Sequence, residues 1–402
     1  MQFLDCLYGN IQLDINRELL SLPEVQRLRE VRLCNINSPY LTGGSNINRF
    51  EHAIGTCFLA QEFSKHNRIA ENEKQHFMIA SLLHDIVTPP FAHSLEYLFE
   101  NFGIKNYEHA NIHTLLSGST ITQDRAFFVG LKSKIKKSLV KFDVAKILKI
   151  INGEDALSNI LSADIDIDNI DNVFRFAYHL GLNFNKNTPL AIATSLRYIN
   201  RVLHLTPQTI PLVTEWFNIR QELYRLLLEN NGEFAAKALL ERIFIDLIEV
   251  GSLGATDWIK TDYELVEFIL KDSRTPNDTK KTLQNLMTMN LPKYSLILHS
   301  DDILEFNKIA KSKVKFINEI HINYRVFIHF ISDINKTCRP IKAYDTENNT
   351  FLQIGKKRDR LLIGLFSDEK QHFDTIRKHL ANQFDIKTSE VVSRDKTQLS
   401  LI

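Results

Sequence analysis

The run Ala80-Ser-Leu-Leu-His-Asp-Ile-Val-Thr-Pro-Pro-Phe-Ala-His93 constrains this chain more than any other stretch. An apolar helical segment delivers His84 and Asp85 to its end. Pro89 and Pro90 then forbid continuation, because proline lacks the N–H a helix needs and pushes the residue before it into extended geometry. Adjacent helical residues point in different directions, yet both can reach one site that lies beside the terminus. Upstream stands Asn48-Arg-Phe-Glu-His52, and downstream Ala163-Asp-Ile-Asp-Ile-Asp168. Each piece alone has a bland reading. A His-Asp dipeptide occurs by chance, and a single helical histidine is more often surface or core than ligand. In this order, two histidines, a His-Asp doublet and a distant aspartate make a ligand set for one or two divalent metals, the chemistry that activates water against a phosphate ester.

Around these motifs the chain reads as mostly helical to about residue 290. Ser21-Leu-Pro-Glu predicts a helix start with Ser21 as N-cap, followed by Val25, Leu28 and Val31 at helical spacing. Helices are expected over about 49–64, 71–84, 92–102, 106–116, 132–149 and 164–180, then over 208–229, 231–250, 258–271 and 276–289. In the 164–180 helix, Asp164, Asp168, Asp171 and Arg175 share one face. An Asp stripe with an Arg is usually a solvated face, and the apolar face is that of Ile165, Ile170, Val173, Phe174 and Ala177. Residues 193–205 alternate partially and read as strand. Pro292 marks a composition shift. Beyond it a short helix is expected near 302–312, strands at 313–330, 339–345, 350–355 and 360–366, and a helix near 368–384.

With 402 residues and 44% hydrophobic content, the chain can bury a sizeable core. Its net charge of +1 carries no global footprint for nucleic acid. Cys6, Cys34, Cys57 and Cys338 are scattered without a CxxC pair and read as free thiols of a reducing compartment. Residues 1–9 lack the basic start and apolar core of a signal peptide, and no apolar run reaches membrane-spanning length, so a soluble, cytoplasmic protein is expected. The lysines of 132–141 and the cluster Lys356-Lys357-Arg358-Asp359-Arg360 read as solvated faces, and nucleic acid is not the expected partner.

These segments resemble the HD superfamily of metal phosphohydrolases, and within it the deoxynucleoside triphosphate triphosphohydrolases, the dGTPase-like branch. The resemblance covers roughly residues 15–250. It rests on Val25-Gln-Arg-Leu-Arg, Asn48-Arg-Phe-Glu-His-Ala-Ile-Gly, Leu82-Leu-His-Asp, Pro90-Phe-Ala-His-Ser and Asp166-Ile-Asp-Ile-Asp-Asn with His179-Leu-Gly-Leu. It implies a mainly α fold: an HD helical bundle with its helical extension over 1–290, and a small α+β region over 291–402. It implies His52, His84, Asp85 and Asp168 as ligands of a divalent metal (Mn, Mg, Fe, Zn or Co, one or two ions). His93, with Glu96 three residues on and His109, would form a carboxylate–histidine relay for general acid/base catalysis. Arg49 and Arg220 match arginines near the phosphates, suited to them by the planar guanidinium fork. The implied reaction releases nucleoside and tripolyphosphate from a (deoxy)nucleoside triphosphate, in a homo-oligomer regulated by a nucleotide activator. Some bacterial members serve in antiviral defence.

The sequence departs from the family pattern where the substrate would lie. Val87-Thr88 stand where Gly-His is common, Asn172 and Phe176 where a Tyr and an Asp flank the sugar, Asn169 where a Lys touches phosphate, and Leu33 where a Gln meets the 3′-hydroxyl. A site that loses such hydrogen-bond partners loses the discrimination they supply. Two alternatives therefore stand beside the triphosphatase reading. One is an HD phosphohydrolase acting on a monophosphate, cyclic or polyphosphorylated nucleotide. The other is a nucleotide-sensing regulatory subunit with little turnover.

Overall fold

Helices make up most of the first 290 residues of the computed structural model, which describes the chain except 34–41, 93, 96, 97, 100, 101, 104–106, 119–124, 302–311, 383, 389–391 and 394–402. In order they are α1 Arg17–Leu20, α2 Pro23–Arg27, α3 Arg49–His66, α4 Glu71–Leu83, α5 Tyr107–Leu116, α6 Ile135–Ser138, α7 Val144–Ile151, α8 Ser158–Leu161, α9 Ile167–His179, α10 Thr188–Ser195, α11 Thr209–Glu229, α12 Asn231–Glu249, α13 Asp262–Lys271 and α14 Asn277–Met287. Before them the strands β1 Gln2–Asp5 and β2 Gly9–Gln12 form an antiparallel hairpin.

The centre of the bundle is α3, packed on α4, α9 and α10. Phe50, Ala53, Ile54, Cys57, Leu59, Ala60 and Phe63 are all buried, so apolar residues occupy every side, as in a helix enclosed all round. Asn48 caps α3 by accepting from the Glu51 N–H. Gly55 sits mid-helix, where glycine costs about 1 kcal/mol relative to alanine. Here the close approach of α9 requires it, since a Cβ would lie 2.0 Å from Asp171 Oδ1 and 2.3 Å from Arg175 Nη2.

After Met287 the chain turns to strands: β5 Tyr294–Ser300, β6 Phe327–Cys338, β7 Ile341–Asp345, β8 Thr350–Ile354, β9 Arg358–Ser367, β10 Ile386–Thr388 and β11 Val392–Ser393, with α15 Lys313–Tyr324 and α16 Phe373–Ala381 between them. One sheet runs β10-β5-β9-β6, antiparallel at each pairing, with β11 also on β5. The other joins the two parts of the chain. The strands β3 Tyr198–Ile199 and β4 Val202–Leu205 extend to β7 and β8, with Leu203 opposite Ala343 in a parallel pairing. The C-terminal region is thus a small α+β element fused by main-chain bonds to the helical bundle. No described helix is long and apolar enough to cross a membrane.

Several local expectations change. Ser21 closes α1, its hydroxyl donating to the Arg17 carbonyl, and Leu22 precedes α2 with Pro23 at its first position. The lysine-rich stretch is two helices, because Asp143 caps a new one by accepting from the Lys146 N–H. Residues 193–195 complete α10, and only 198–199 and 202–205 are strand. Residues 313–324 are helical: Ile317 and Ile320 are buried at helical spacing, and Arg325 stops the helix at a φ of 52°. The strand β5 was not anticipated, and the helix expected near 302–312 falls almost wholly outside the described residues.

One buried acid gives a pH-dependent test of the bundle. Glu233, 3% exposed in the first turn of α12, has its carboxyl pushed up to about 7 by burial, against the pull of Lys237. A raised folded value means stability present below the ordinary value of 4.5 and lost as pH rises through about 7. Glu233→Gln should therefore match wild type in melting at pH 5. At pH 8 it should be more stable by about 2–4 kcal/mol. A melting difference that is the same at both pH values would contradict this.

Candidate metal centre

Three helices converge on one point. From the middle of the first turns of α3 comes His52, from the end of α4 come His84 and Asp85, and from the first turn of α9 comes Asp168. His52 Nε2 lies 3.0 Å from Asp168 Oδ1 and 3.8 Å from Asp85 Oδ2. His84 Nε2 lies 3.6 Å from each of those two oxygens. This nitrogen is buried and has no hydrogen-bond partner, an arrangement that costs free energy unless something else satisfies it. His52, His84 and Asp85 bring one ligating atom each within 4.8 Å of one another, Asp168 Oδ1 adds a second carboxylate beside both imidazoles, and the orphaned nitrogen fits a divalent metal.

The rings are aimed by what holds their other nitrogens. His84 Nδ1 meets the Ser81 carbonyl oxygen at 2.8 Å, which makes Nδ1 a donor and turns Nε2 toward the carboxylates. His52 Nδ1 donates to Asp171 Oδ2 at 2.7 Å, and its Nε2 donates to Asp168 Oδ1 at 3.0 Å, where a bound metal would take the place of the proton. Arg175 grips Asp171 with two donors, Nε to Oδ2 at 2.9 Å and Nη2 to Oδ1 at 2.8 Å. Its Nη1 also reaches Asp5 at 3.1 Å and Glu51 at 2.6 Å. The carboxylate–histidine pair with an arginine behind it is the usual outer support of a metal ligand. Asp171 and Arg175 share the face assigned from sequence to solvent, and both are fully buried.

The turn after Asp85 has its own clamp. Arg27, fully buried, donates through Nη2 to the carbonyls of Ile86 at 3.0 Å and Thr88 at 2.8 Å. Phe91 and Ala92 then take left-handed conformations, φ 58° and 55°, which β-carbon-bearing residues adopt at a cost. The Phe91 N–H donates to Asp262 Oδ1 at 2.8 Å, and Asp262 also accepts from the Arg32 N–H. The strained turn immediately precedes His93.

Charge is tightly balanced. Burial would lower the His52 and His84 values, but Asp168 and Asp171 push His52 up to about 9, and Asp85 and Asp168 push His84 up to about 10. Burial would raise Asp85, yet Arg49, His84 and His52 hold it far below the carboxylate range. The Arg49 guanidinium bonds to Asp85 Oδ2 directly. Asp166 spends both oxygens on the N-terminus of α9, accepting from the N–H groups of Ala163 and Asn169, each at 2.6 Å. The Asn169 amide also turns inward to Asp166, at 2.9 Å.

A cavity of about 270 Å³ opens over the centre, and His52, His84, Asp85, Asp168 and Arg49 all line it. Leu33 and Asn172 line it too, with Ser162 and the apolar wall of Ile112, Ile151 and Leu161. Leu33 is set there by its N–H, which donates to the Ile47 carbonyl at 2.8 Å. Arg220 is not among the described lining residues. It is buried in α11 against the rings of Trp216 and Tyr224. Val87 and Thr88 are buried in the bundle, and Phe176 packs in the core. His93 and Glu96 lie outside the described residues, as does the side chain of His109 on α5. Arg27, Asp171, Arg175 and Asp262 were not singled out as supports from sequence. A signal existed only for Arg27 and for Asp171 with Arg175, in the Gln-Arg-Leu-Arg and Asp-x-x-x-Arg spacings.

Comparison with known proteins agrees with this geometry. The family model of the HD domain matches residues 49–128, so the chain carries an HD domain, and it resembles the dGTPase-like family. An uncharacterized protein of Methanocaldococcus jannaschii is 27% identical over 66% of the chain, and the chain spans about half of that relative (54%). An uncharacterized protein of Mycoplasma genitalium is 20% identical over the whole chain and 93% of its own length. A deoxynucleoside triphosphate triphosphohydrolase SAMHD1 homolog of Dictyostelium discoideum is 21% identical over 74% of the chain and 61% of its own. Among solved structures, a phosphohydrolase of Bacteroides thetaiotaomicron superposes with a TM-score of 0.62 at 16% identity, covering 92% of this chain and all of that one.

Proposed function

We propose that this HD-domain protein is a metal-dependent phosphohydrolase, and that its substrates are (deoxy)nucleoside triphosphates, cut at the α-phosphate to nucleoside and tripolyphosphate. The observation that carries the reading is the meeting of His52, His84 and Asp85, with Asp168 beside both imidazoles, beneath a cavity. The naming of the Dictyostelium relative as a triphosphohydrolase supports the substrate class. A divalent ion held by those four residues would polarise a phosphoryl oxygen and lower the pKa of bound water.

The chain's own residues supply the rest. Asp171 and Ser81 hold the two Nδ1 atoms, so both Nε2 atoms face inward, where a bound ion would take the place of their protons. Arg49 stands at the cavity wall and can meet phosphate oxygens while staying paired with Asp85. Arg49, Arg220 and a second divalent ion would neutralise the triphosphate. In the reaction, water oxygen bonds to the α-phosphorus, the bond to the 5′-oxygen breaks, and His93, oriented by Glu96 or His109, protonates that leaving oxygen. His93→Ala should accordingly keep its metal content and lose about 10²–10⁴ of turnover. Equal turnover with metal retained would remove His93 from the scheme.

The decisive experiment is product analysis by anion-exchange chromatography. The protein is incubated with each dNTP and NTP, singly and mixed, with Mn²⁺ or Mg²⁺. Nucleoside plus tripolyphosphate supports the reading, and turnover confined to mixtures adds the nucleotide activator. Orthophosphate, pyrophosphate or a linear dinucleotide as product supports the second reading, an HD phosphohydrolase for another nucleotide. Leu33 and Asn172 at the positions that depart from the family pattern leave room for that alternative. Nucleotide binding without turnover under every condition would support a sensor.

A further inference from the structure

Outside the candidate metal centre, a second group of side chains turns ligating atoms on one another. Cys6 lies in the turn between β1 and β2, Glu51 in the first turn of α3 and His179 at the end of α9. Cys6 Sγ is 2.9 Å from Glu51 Oε1 and 3.4 Å from His179 Nε2, and Oε1 is 2.9 Å from Nε2. None of the three is fully buried. Cys6 also lines a cavity of about 350 Å³ with Tyr8, Phe58, Lys186 and Asn187.

We infer that Cys6, Glu51 and His179 form a second metal site, which takes one zinc-like divalent cation through Sγ, a carboxylate oxygen and Nε2. The inference is independent of the reading of the first site. Three elements far apart in sequence must each place one donor for the group to exist, which chance surface neighbours seldom do. Thiolate with imidazole selects zinc and its relatives, whereas carboxylate and water suit magnesium or manganese. Tetrahedral zinc, with bonds of about 2.0–2.3 Å, sets its ligand atoms roughly 3.4–3.6 Å apart. The sulfur–nitrogen separation of 3.4 Å already matches. Glu51 need only withdraw by about half an ångström, or turn its second oxygen inward.

Burial and Glu51, to which the thiol donates, push Cys6 up to about 12, so the cation has to displace that proton as it binds. Arg175 bonds to Glu51 and approaches Cys6 Sγ at 3.8 Å, so an incoming cation competes with it. It would not be stranded, because it keeps both bonds to Asp171 and the 3.1 Å bond to Asp5. Asp5, Asp171 and Glu51 together outweigh the guanidinium. Three protein ligands leave one position for water, the pattern of an exchangeable site.

The test uses the full-length protein, stripped with chelator and loaded with Co²⁺ alone. A thiolate-to-cobalt charge-transfer band is expected in wild type and in His84→Ala, and is expected to vanish in Cys6→Ser. Zinc content by plasma mass spectrometry should fall by about one equivalent in Cys6→Ser and in His179→Gln. A folded wild type with no thiolate band overturns the inference. So does a band that survives Cys6→Ser, a band lost in His84→Ala, or equal zinc content in wild type and His179→Gln. Should Cys6→Ser fail to fold, the wild-type spectrum and His179→Gln decide.

Discussion

His84→Ala should lose bound metal and turnover together. Its Nε2 is buried, unpartnered, and 3.6 Å from both carboxylates. Removing it takes away a direct donor, so the loss of metal affinity should exceed the roughly 10–100-fold that follows loss of an outer supporting partner. Asp171→Asn supplies that comparison, because it leaves all four inner donors in place while disturbing what aims His52 and weakening the bonds to Arg175. Metal content by plasma mass spectrometry and product formation by anion exchange are read on the same preparations. A His84→Ala protein that keeps wild-type metal and turnover would sink the assignment of the centre. Full activity without metal would sink the mechanism.

Arg175→Met should have the largest effect on stability. The guanidinium is fully buried and bonded to Asp171, Asp5 and Glu51. Burial works against its charge, but Asp171 and Asp5 hold its pKa well above the ordinary arginine value. Methionine fills much of the volume and leaves Asp171 and Asp5 as buried acids with their main counter-charge gone. Breaking a buried pair by removing one partner costs about 3–5 kcal/mol. Denaturant unfolding of the metal-free protein measures it. Metal affinity should drop as well, since Asp171 loses the clamp that aims His52. Unchanged unfolding would show that the network contributes nothing, and the account of α9 would need replacing.

The candidate ligand residues were legible as a group because their spacing is local. The apolar helix expected to end near His84 does end at Leu83 and presents His84 and Asp85 there, and the helix expected from about Arg49 carries His52. Val25, Leu28 and Val31 are buried as expected, but the helix meant to carry them ends at Arg27, Leu28 opens a tighter turn and Val31 is extended. Errors arose where local signals compete. Ser21 offered an N-cap but bonded backward to Arg17, and residues 313–324 looked extended although Ile317 and Ile320 pack at helical spacing. The face of Asp171 and Arg175 read as solvated because charge predicts exposure only while no partner is known.

By itself, then, the sequence determined the helices that carry the metal ligands, the order of the motifs and the resemblance to the HD phosphohydrolases. Only the tertiary structure decided that Arg175 is buried among acids from β1, α3 and α9, and that Gly55 lets α9 approach α3. It also decided that β4 pairs with β7 across some 140 residues and that Cys6 meets Glu51 and His179. The physical reason is common to all four. Period and capping act over one or two turns, whereas the partner that makes a buried charge affordable comes from an element whose position only packing sets.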